Sequence, residues 1–359
     1  MSLSLHFERR PKATLSFTLF ILIGSLLLGT LAASLLFLIR GVNPFIALQK
    51  IFLGSFGSWY GFQETIAKAI PLALTGIGLT LAFRARFWNI GAEGQILAGA
   101  VGATAAALFG PAGLSSTATI ALLFLSGAVC GALWALIPAI LRLRWQVNEV
   151  ISTLMMNYIA IELVQFLIYG PWKGKTQMGF PYSDDFPAPA VLPMYGYSRI
   201  HTPTLMLAVL GAFVFWLLLQ RLTPGFEIRV SGDNPEAARY AGIPGGRVLL
   251  LAMLISGALA GCAGVGEVAG IHRHLTYPWA ISSGYGYTAI IVAWLARLNP
   301  LGVLVSSLFF GGILVGGDVI QTSLQLPFAV VHLFNALILI GLIVGDVLLE
   351  YRPRLRRHP

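Results

Sequence analysis

Apolar residues run along most of this chain in long segments that short polar stretches separate. Ten of these segments have about the 20 residues that a helix needs to cross the hydrocarbon core of a bilayer. They cover, approximately, residues 15–39, 66–83, 88–109, 117–141, 147–169, 203–220, 248–270, 278–296, 301–320 and 328–349. The pattern predicts an all-α integral membrane protein, a polytopic bundle of about ten transmembrane helices.

Three segments need separate comment. Residues 44–55 are apolar but too short to cross, so an interfacial or re-entrant position is predicted for them. The span at 278–296 contains a proline and several glycines and is the most interrupted of the ten. The first apolar segment, at about 25 residues, is longer than the 7–15-residue core of a signal peptide, and no small-residue cleavage site follows it. We therefore expect it to remain as a membrane anchor.

Composition and charge agree with a membrane protein. Of 359 residues, 57% are hydrophobic and only 10% are charged, whereas an ordinary soluble domain is roughly 25% charged. If the N-terminus is cytoplasmic, 16 of the 23 Lys and Arg residues fall on the inner side of the ten-span arrangement. This bias follows the positive-inside rule. The basic excess therefore indicates orientation, with both termini cytoplasmic, and requires no role in nucleic-acid binding.

Two loops are long enough to carry a function, and the outer one spans about 171–202. It contains the sequence GKT at 174–176, but a phosphate-binding loop needs a glycine where this chain has Tyr169. No strand precedes it either, so nucleotide binding is not predicted there. The aromatic residues and prolines of this external loop predict an ordered cap on which another molecule could dock.

The spans and loops offer no motif for a metal site or for catalysis. His272 and His274 lie at an outer helix end without a third ligand. Cys130 and Cys262 both fall inside predicted spans and indicate neither a disulfide framework nor a zinc site. We expect no catalytic residue, no metal and no resident cofactor in this chain.

The inner loop, about 221–247, contains the polar stretch GDNPEAARYAGIP. Asn234 or Asp233 can cap a helix N-terminus, and Pro235 suits the first helical position. Gly242 can adopt the left-handed conformation that ends a helix. The stretch predicts a helix of about two turns, too short to be stable alone in water. It must pack on the membrane domain, on a partner or on both; a merely well-capped loop is the alternative.

Five stretches together resemble one family. They are FWNIGAEGQILAGA (87–100), QVNEVISTLMMNYIA (146–160), GDNPEAARYAGI (232–243), GALAGCAGVGEVAG (257–270) and GYGYTAIIVAWLARLNPLGV (284–303). In this order they are similar to motifs of the membrane subunits of bacterial ABC importers, in the branched-chain amino acid, ribose and nucleoside permease family. The stretch at 146–160 resembles the nucleoside branch most.

The resemblance implies a single membrane permease domain over residues 1–359 in a bacterial cytoplasmic (inner) membrane. Such a permease is not itself an enzyme, because ATP and Mg²⁺ bind to separate ATPase subunits. The implied partners are those ATPase subunits, a second related permease (a heterodimer rather than a homodimer), an extracytoplasmic substrate-binding protein or lipoprotein, and membrane lipid. Nucleosides are the expected substrates, with ribose-like sugars as the alternative.

The resemblance also assigns the polar helix of the inner loop as the ATPase-coupling helix. Its caps would keep the helix folded, two small alanines would allow close approach to the ATPase, and an arginine or a tyrosine would anchor it. The residues concerned are Asp233, Asn234, Pro235, Glu236, Ala237, Ala238, Arg239 and Tyr240.

Polar residues within the spans are candidates for the substrate pathway, because a charge near the bilayer centre is costly and must face protein or water. The candidates are Asn89, Glu93, Gln95, Asn148, Asn157 and Glu267. For Glu93 and Glu149, near the cytoplasmic face, capping or tying of helices is the favoured alternative. For Asn157 and Glu267 both interpretations stay open. An ion-coupled secondary transporter using Glu267 and Asp318 is a competing hypothesis, but it leaves the capped cytoplasmic helix unexplained.

Overall fold

The computed structural model describes residues 3–9 and 14–357, which are almost entirely helical. The helices are α1 (Leu15–Ile39), α2 (Pro44–Phe56), α3 (Trp59–Arg84), α4 (Ala92–Phe109), α5 (Ser116–Trp145), α6 (Glu149–Tyr169), α7 (Thr202–Arg221), α8 (Thr223–Asp233), α9 (Pro235–Tyr240), α10 (Gly245–Val265), α11 (Pro278–Ile281), α12 (Tyr285–Leu295), α13 (Pro300–Ser323) and α14 (Phe328–Glu350). A 3-10 turn covers Ala188–Ala190, and a π-helical turn, Gly266–His272, extends α10.

Two short strands are the exception to the helical fold. Strand β1 (Leu3–Arg9) pairs antiparallel with β2 (Tyr351–Arg357), so that Leu5 lies opposite Leu355. The hydropathy pattern did not predict these strands. Their pairing brings the two ends of the described chain together.

The predicted membrane-spanning character is confirmed. In the part of the chain that the structure describes, eight helices are long and apolar enough to cross a membrane. The pair α1 and α2, bent by 118°, would add a ninth if it forms one span. Helix α2 is the segment that the sequence predicted to be interfacial or re-entrant, and its 13 residues rise about 20 Å, short of the ~30 Å hydrocarbon core.

The span expected over 278–296 is not one continuous helix. Helix α11 ends at Ile281, and α12 begins at Tyr285 after Gly284, whose φ of +90° is left-handed. The 11 residues of α12 rise only about 16 Å. The segment still passes between the two ends of the helical bundle: Tyr277 contacts the end of α6 at Tyr169, while Leu298 accepts a hydrogen bond from Arg84 at the end of α3.

The chain folds into two compact units. One comprises Met1–Phe62 and Gly312–Pro359, and the other Gln63–Gly311. In the first, α1 and α14 meet at glycines, where a Cβ on Gly341 would lie 2.8 Å from the Cα of Gly29. Small residues at this crossing let the two backbones approach, as is common between membrane helices.

The second unit is built around α4, α5 and α10, whose backbones touch along glycines. A Cβ on Gly261 would lie 2.2 Å from the carbonyl oxygen of Gly127, and a Cβ on Gly99 would lie 2.3 Å from Gly261. Buried apolar side chains such as Leu97, Val164 and Val268 extend this core. The glycine-rich stretch at 257–270 therefore lies at a helix interface.

Helix α4 begins inside the bundle rather than at its surface. The chain between α3 and α4 is non-helical over 85–91. Within it, Asn89 is fully buried and bonds to Ser256, the twelfth residue of α10. Twelve helical residues rise about 18 Å, so this irregular backbone lies deep among the spans. Non-helical backbone at such depth persists only where protein satisfies its polar groups.

Candidate functional site

The inner segment that follows α7 is more helical than the sequence indicated. The prediction placed one short helix within a loop over 221–247, but α8 (Thr223–Asp233) comes before it. Thr223 and Pro224 begin α8, and a proline at this position is tolerated because its missing N–H would have no helical partner. The polar helix is therefore the second of two consecutive helices.

The capping of α9 agrees with the sequence. Asn234, rather than Asp233, is the N-cap: its Oδ1 accepts hydrogen bonds from the backbone N–H of Glu236 at 3.1 Å and of Ala237 at 3.0 Å. Gly242 after the helix has a φ of +76°, the left-handed conformation expected of it. The short helix α9 is thus capped by a polar residue of its own segment.

One of the residues expected to face a partner from α9 is buried. Glu236, Ala237 and Arg239 are exposed, and Tyr240 is 98% exposed. Ala238, however, is only 2% exposed, so its methyl group packs within the chain and is not presented to a partner. Of the two alanines, only Ala237 faces outward.

Helix α8 connects this exposed face to the spans. Ile228 packs in a buried cluster with Leu81 of α3, Leu219 of α7 and Val248 of α10. Gly232 lies so close to the end of α3 that a Cβ there would be 1.8 Å from the carbonyl oxygen of Arg84. Helix α8 therefore packs on α3, α7 and α10 directly before α9 begins.

Four of the six pathway candidates belong to one buried polar network. At its centre the amides of Asn89 and Gln95 form two reciprocal hydrogen bonds of 3.1 and 3.0 Å. The Asn89 amide also donates to Ser256, and its oxygen accepts from the N–H of Gly91. These bonds close the non-helical turn at 85–91 and tie it to α10.

Asn157 joins the same turn to α6 and α12. Its Oδ1 accepts from the N–H of Gly94 at 2.8 Å, one of the donors that the start of α4 leaves without a helical partner. Its Nδ2 donates to the carbonyl oxygen of Ile90 at 2.9 Å and to the hydroxyl of Tyr287 at 3.1 Å. One side chain thus caps a neighbouring helix from across the interface.

Glu93 bridges the start of α4 to the break between α11 and α12. Its two carboxyl oxygens accept from the backbone N–H of Gly284 at 3.1 Å and of Gly286 at 2.7 Å, and the residue is 1% exposed. A Cβ on Gly286 would lie 2.2 Å from the N of Glu93, so the two backbones are in contact. The carboxyl group satisfies donors that the broken helix leaves open.

The network explains what these four side chains do in this conformation. Asn89, Glu93, Gln95 and Asn157 bond to backbone and side-chain groups around two interrupted segments, 85–91 and 282–284. The carboxyl group of Glu93 thereby joins the start of α4 to the start of α12. The sequence did not indicate that the four residues would meet.

Asn148 lies apart from the network. It is exposed at the inner end of α6, and its Oδ1 caps that helix by accepting from the N–H groups of Val150 and Ile151. The next residue, Glu149, forms an ion pair of 3.3 Å with Arg142 at the end of α5. Both side chains fasten the α5–α6 connection.

Glu267 lies near the other end of the second unit, within the π-helical turn. It is buried, and Arg199 and Lys68 supply positive charge around it. His201 packs against the same turn, where a Cβ on Gly270 would lie 2.8 Å from its ring. Burial lowers the pKa of His201 to about 4, so this imidazole is neutral. Single π-turns often accompany functional sites, and sequence patterns had not indicated the histidine.

The outer loop is ordered, as the sequence predicted, and lies against the end of α10. Ser183 exchanges two hydrogen bonds of 2.9 Å with the backbone of Leu275, and the N–H of Leu192 donates to Ala269. The hydroxyl of Thr176 donates to Asp184 at 2.8 Å, which lowers the pKa of that exposed carboxyl group. The GKT sequence is thus part of the cap.

Removing the Asn157 side chain tests the role of the network. Asn157→Leu leaves Gly94 and Ile90 with unpaired backbone groups, which cost about 1–3 kcal/mol in a buried site. Hydrogen bonds between membrane helices average only about 0.6 kcal/mol. The free energy of unfolding should therefore fall by about 1–2 kcal/mol. Thermal unfolding of the protein in detergent measures it.

Tyr287→Phe is the matched control, because it removes one hydrogen bond of Asn157 and keeps the ring. Its unfolding temperature should lie between those of Asn157→Leu and the unmodified chain. An unchanged unfolding temperature for Asn157→Leu, together with a raised KM for transport, would instead place Asn157 in contact with cargo.

Comparison with known proteins identifies the family of this arrangement. The model of the family described as branched-chain amino acid transport system / permease component matches residues 61–344. The chain belongs to this permease family. The match includes the buried network, α8 and α9.

Individual relatives are similar over most of their length. A glucose ABC transporter permease protein of Haloferax volcanii is 35% identical to this permease, covering 87% of it and 83% of the relative. The guanosine ABC transporter permease protein NupP of Bacillus subtilis is 34% identical, covering 88% and 90%. A second guanosine permease of that organism, NupQ, is 30% identical, covering 69% and 78%. This permease is therefore a membrane-spanning transport subunit of the ABC class, which works with ATPase subunits.

Proposed function

We propose that this permease is the membrane subunit of an ATP-driven importer for nucleosides, with α9 as its ATPase-coupling helix. The observation that carries the proposal is the exposed, self-capped α9, attached through α8 to three spans. ATP and Mg²⁺ would bind to the partner ATPase, and the permease would convert closure of that ATPase into movement of α3, α7 and α10.

The orientation of the chain supports this role. Helices α8 and α9 lie at the end of the second unit where α3, α5 and α7 terminate in arginines. Basic residues concentrate on the cytoplasmic side of membrane proteins, so this end, and α9 with it, would face the cytoplasmic ATPase. The positive-inside pattern of the sequence would place both chain termini in the cytoplasm.

Nucleosides are the proposed cargo, with ribose-like sugars as a second candidate. The resemblance of residues 146–160 to the nucleoside branch supports the first, and two relatives are named as guanosine permeases. A relative named as a glucose permease is equally similar and favours the second. Within the pathway, Glu267 with Arg199 and His201 offers polar groups for a hydroxylated cargo, whereas the network around Asn157 would support the interrupted helices.

The assembly would contain two different permeases. Bacillus subtilis has two guanosine permease proteins that are both similar to this chain, which supports a pair of related permeases over a homodimer. An extracytoplasmic binding protein or lipoprotein would deliver cargo at the ordered outer loop, whose prolines and aromatic rings offer a firm docking surface.

Purification from the native membrane, followed by reconstitution, tests the proposal. An ATPase and a second permease should co-purify with this chain, and proteoliposomes of the complex should take up labelled guanosine only when ATP is supplied. Labelled ribose in place of guanosine distinguishes the two cargo candidates. Uptake by the chain alone, driven by an ion gradient without ATP, would instead show a secondary transporter.

A further inference from the structure

Four arginines surround a small cavity at the inner end of the second unit, beside the coupling segment. The cavity has a volume of about 260 Å³ and lies where α8 meets the ends of α3 and α12. Arg84, Arg86, Arg229 and Arg297 line it together with one acid, Asp233. The guanidinium groups outnumber the carboxylate by three, which leaves the cavity with a strongly positive potential. The network around Asn157 does not account for it.

Backbone carbonyl groups hold two of these arginines in place. Arg84 donates through Nε to the carbonyl oxygen of Leu298 at 2.8 Å, and Arg86 donates through Nη2 to the carbonyl oxygen of Asp233 at 3.3 Å. Arg86 and Arg297 occupy left-handed positions, with φ of 55° and 51°, in the turns that end α3 and α12. Such positions are uncommon for residues other than glycine and persist only where the surroundings impose them.

The cavity contains a donor whose hydrogen bond is not made. Nη1 of Arg229 is buried and has no acceptor among the described residues. The charges of Arg84 and Arg229 repel each other, and Asp233 offsets only part of that repulsion. A buried guanidinium N–H without an acceptor is costly, and more so when like charges surround it. An anion in the cavity would remove both costs.

We propose that this cavity binds a phosphate group, from either the headgroup of an anionic inner-leaflet lipid or a soluble phosphate. Planar guanidinium groups bind phosphate oxygens bidentately. A tetrahedral anion with several acceptor oxygens can accept from the open donor of Arg229 and from a neighbouring guanidinium group at once, whereas a carboxylate offers two oxygens. Arg84 ends a membrane helix, which is the depth at which lipid headgroups lie; the lipid source rests on the proposed cytoplasmic orientation.

The bound phosphate would stabilise the coupling segment. Asp233 lies in the cavity and directly precedes Asn234, the N-cap of α9. A phosphate held by Arg229 of α8 and by the arginines that end α3 and α12 would fasten α8 to the spans at the point where α9 begins. Binding of the anion and mechanical coupling are thus linked through one turn of chain.

Binding measurements on the purified permease–ATPase complex test the proposal without requiring transport. Native mass spectrometry after incubation with phosphatidylglycerol or phosphatidylcholine reports a retained lipid, and titration with inorganic phosphate reports the soluble source. Arg229→Gln should weaken binding about tenfold, the value of one charge-assisted hydrogen bond. Arg229→Lys keeps the charge and loses the planar guanidinium group, so its affinity for phosphate should lie between those of the unmodified chain and of Arg229→Gln. Arg247→Gln, an exposed arginine outside the cavity, should leave binding unchanged.

Asp233→Asn should act in the opposite direction and strengthen binding, because it removes the one carboxylate from the cavity. Retention of phosphatidylglycerol alone identifies a lipid headgroup, and binding of inorganic phosphate identifies a soluble source; either supports the proposal. Equal binding by the Arg229 and Arg247 variants, or no binding of either probe, would overturn it. Weaker ATPase association in Arg229→Gln with phosphate binding unaltered would likewise overturn it, and would assign the cavity to an acidic side chain of the ATPase.

Discussion

Reversal of charge at Arg239 is expected to reduce ATP-driven uptake strongly while the permease still inserts and folds. Arg239 is exposed in the last turn of α9 and has no ion pair among those described, so Arg239→Glu breaks none of the described ion pairs. If α9 docks in a groove of the ATPase, a reversed charge at that contact costs several kcal/mol. Uptake should then fall by a factor of about ten or more.

The control is Arg247→Glu, the same charge reversal at an exposed residue in the first turn of α10. Both variants should reach the membrane in equal amounts and unfold at the same temperature. Arg239→Lys keeps the positive charge and should retain most of the uptake. Normal ATP-driven uptake by Arg239→Glu would rule out the role assigned to α9.

A side chain at Gly261 is expected to have the largest effect on stability. A Cβ there would lie 2.2 Å from the carbonyl oxygen of Gly127 and 3.2 Å from the Cα of Gly131, both backbone atoms of α5. Backbone cannot move aside as a flexible side chain can, so α5 and α10 must separate. Overpacking of this kind costs about 1–3 kcal/mol even for small additions, and Gly261→Leu should prevent a stable fold.

Gly211 in α7 is the matched control, since a Cβ there has no atom within 4 Å. Gly211→Ala should be neutral or slightly stabilising, because alanine favours a helix by about 1 kcal/mol over glycine in soluble hosts. Gly261→Ala should lower the unfolding temperature in detergent. The same substitution is thus expected to have opposite signs at two glycines of membrane helices, and equal effects at both would contradict the close approach of α5 and α10.

The capping of α9 and the presence of long membrane-spanning helices were predictable because both depend on residues close in sequence. Asn234 bonds to the N–H groups two and three residues later. A span likewise needs only a continuous apolar stretch of sufficient length. The same local patterns did not predict α8, whose apolar residues are interspersed with polar ones and which is stabilised by packing on α3, α7 and α10.

The interruption at 282–284 shows why local patterns fail elsewhere. By hydropathy, residues 278–296 are as apolar as a continuous span. The break is stabilised by Glu93, 191 residues before Gly284, whose carboxyl group accepts hydrogen bonds from the backbone N–H groups of Gly284 and Gly286. Without that carboxyl group, unpaired N–H groups within the membrane would be too costly, and one helix would be the better solution.

The sequence alone determined the membrane-spanning all-α class, the family and the polar helix with its caps, since each depends on residues that are close together in the sequence. Only the tertiary structure decided which polar residues meet. Asn89 and Ser256 are 167 positions apart, and Glu93 and Gly286 are 193 positions apart. The arginines of the cavity likewise come from the end of α3, from α8 and from the turn after α12. Residues this far apart are brought together by the packing of whole helices. That packing depends on glycine contacts between helix backbones, which a hydropathy pattern cannot predict.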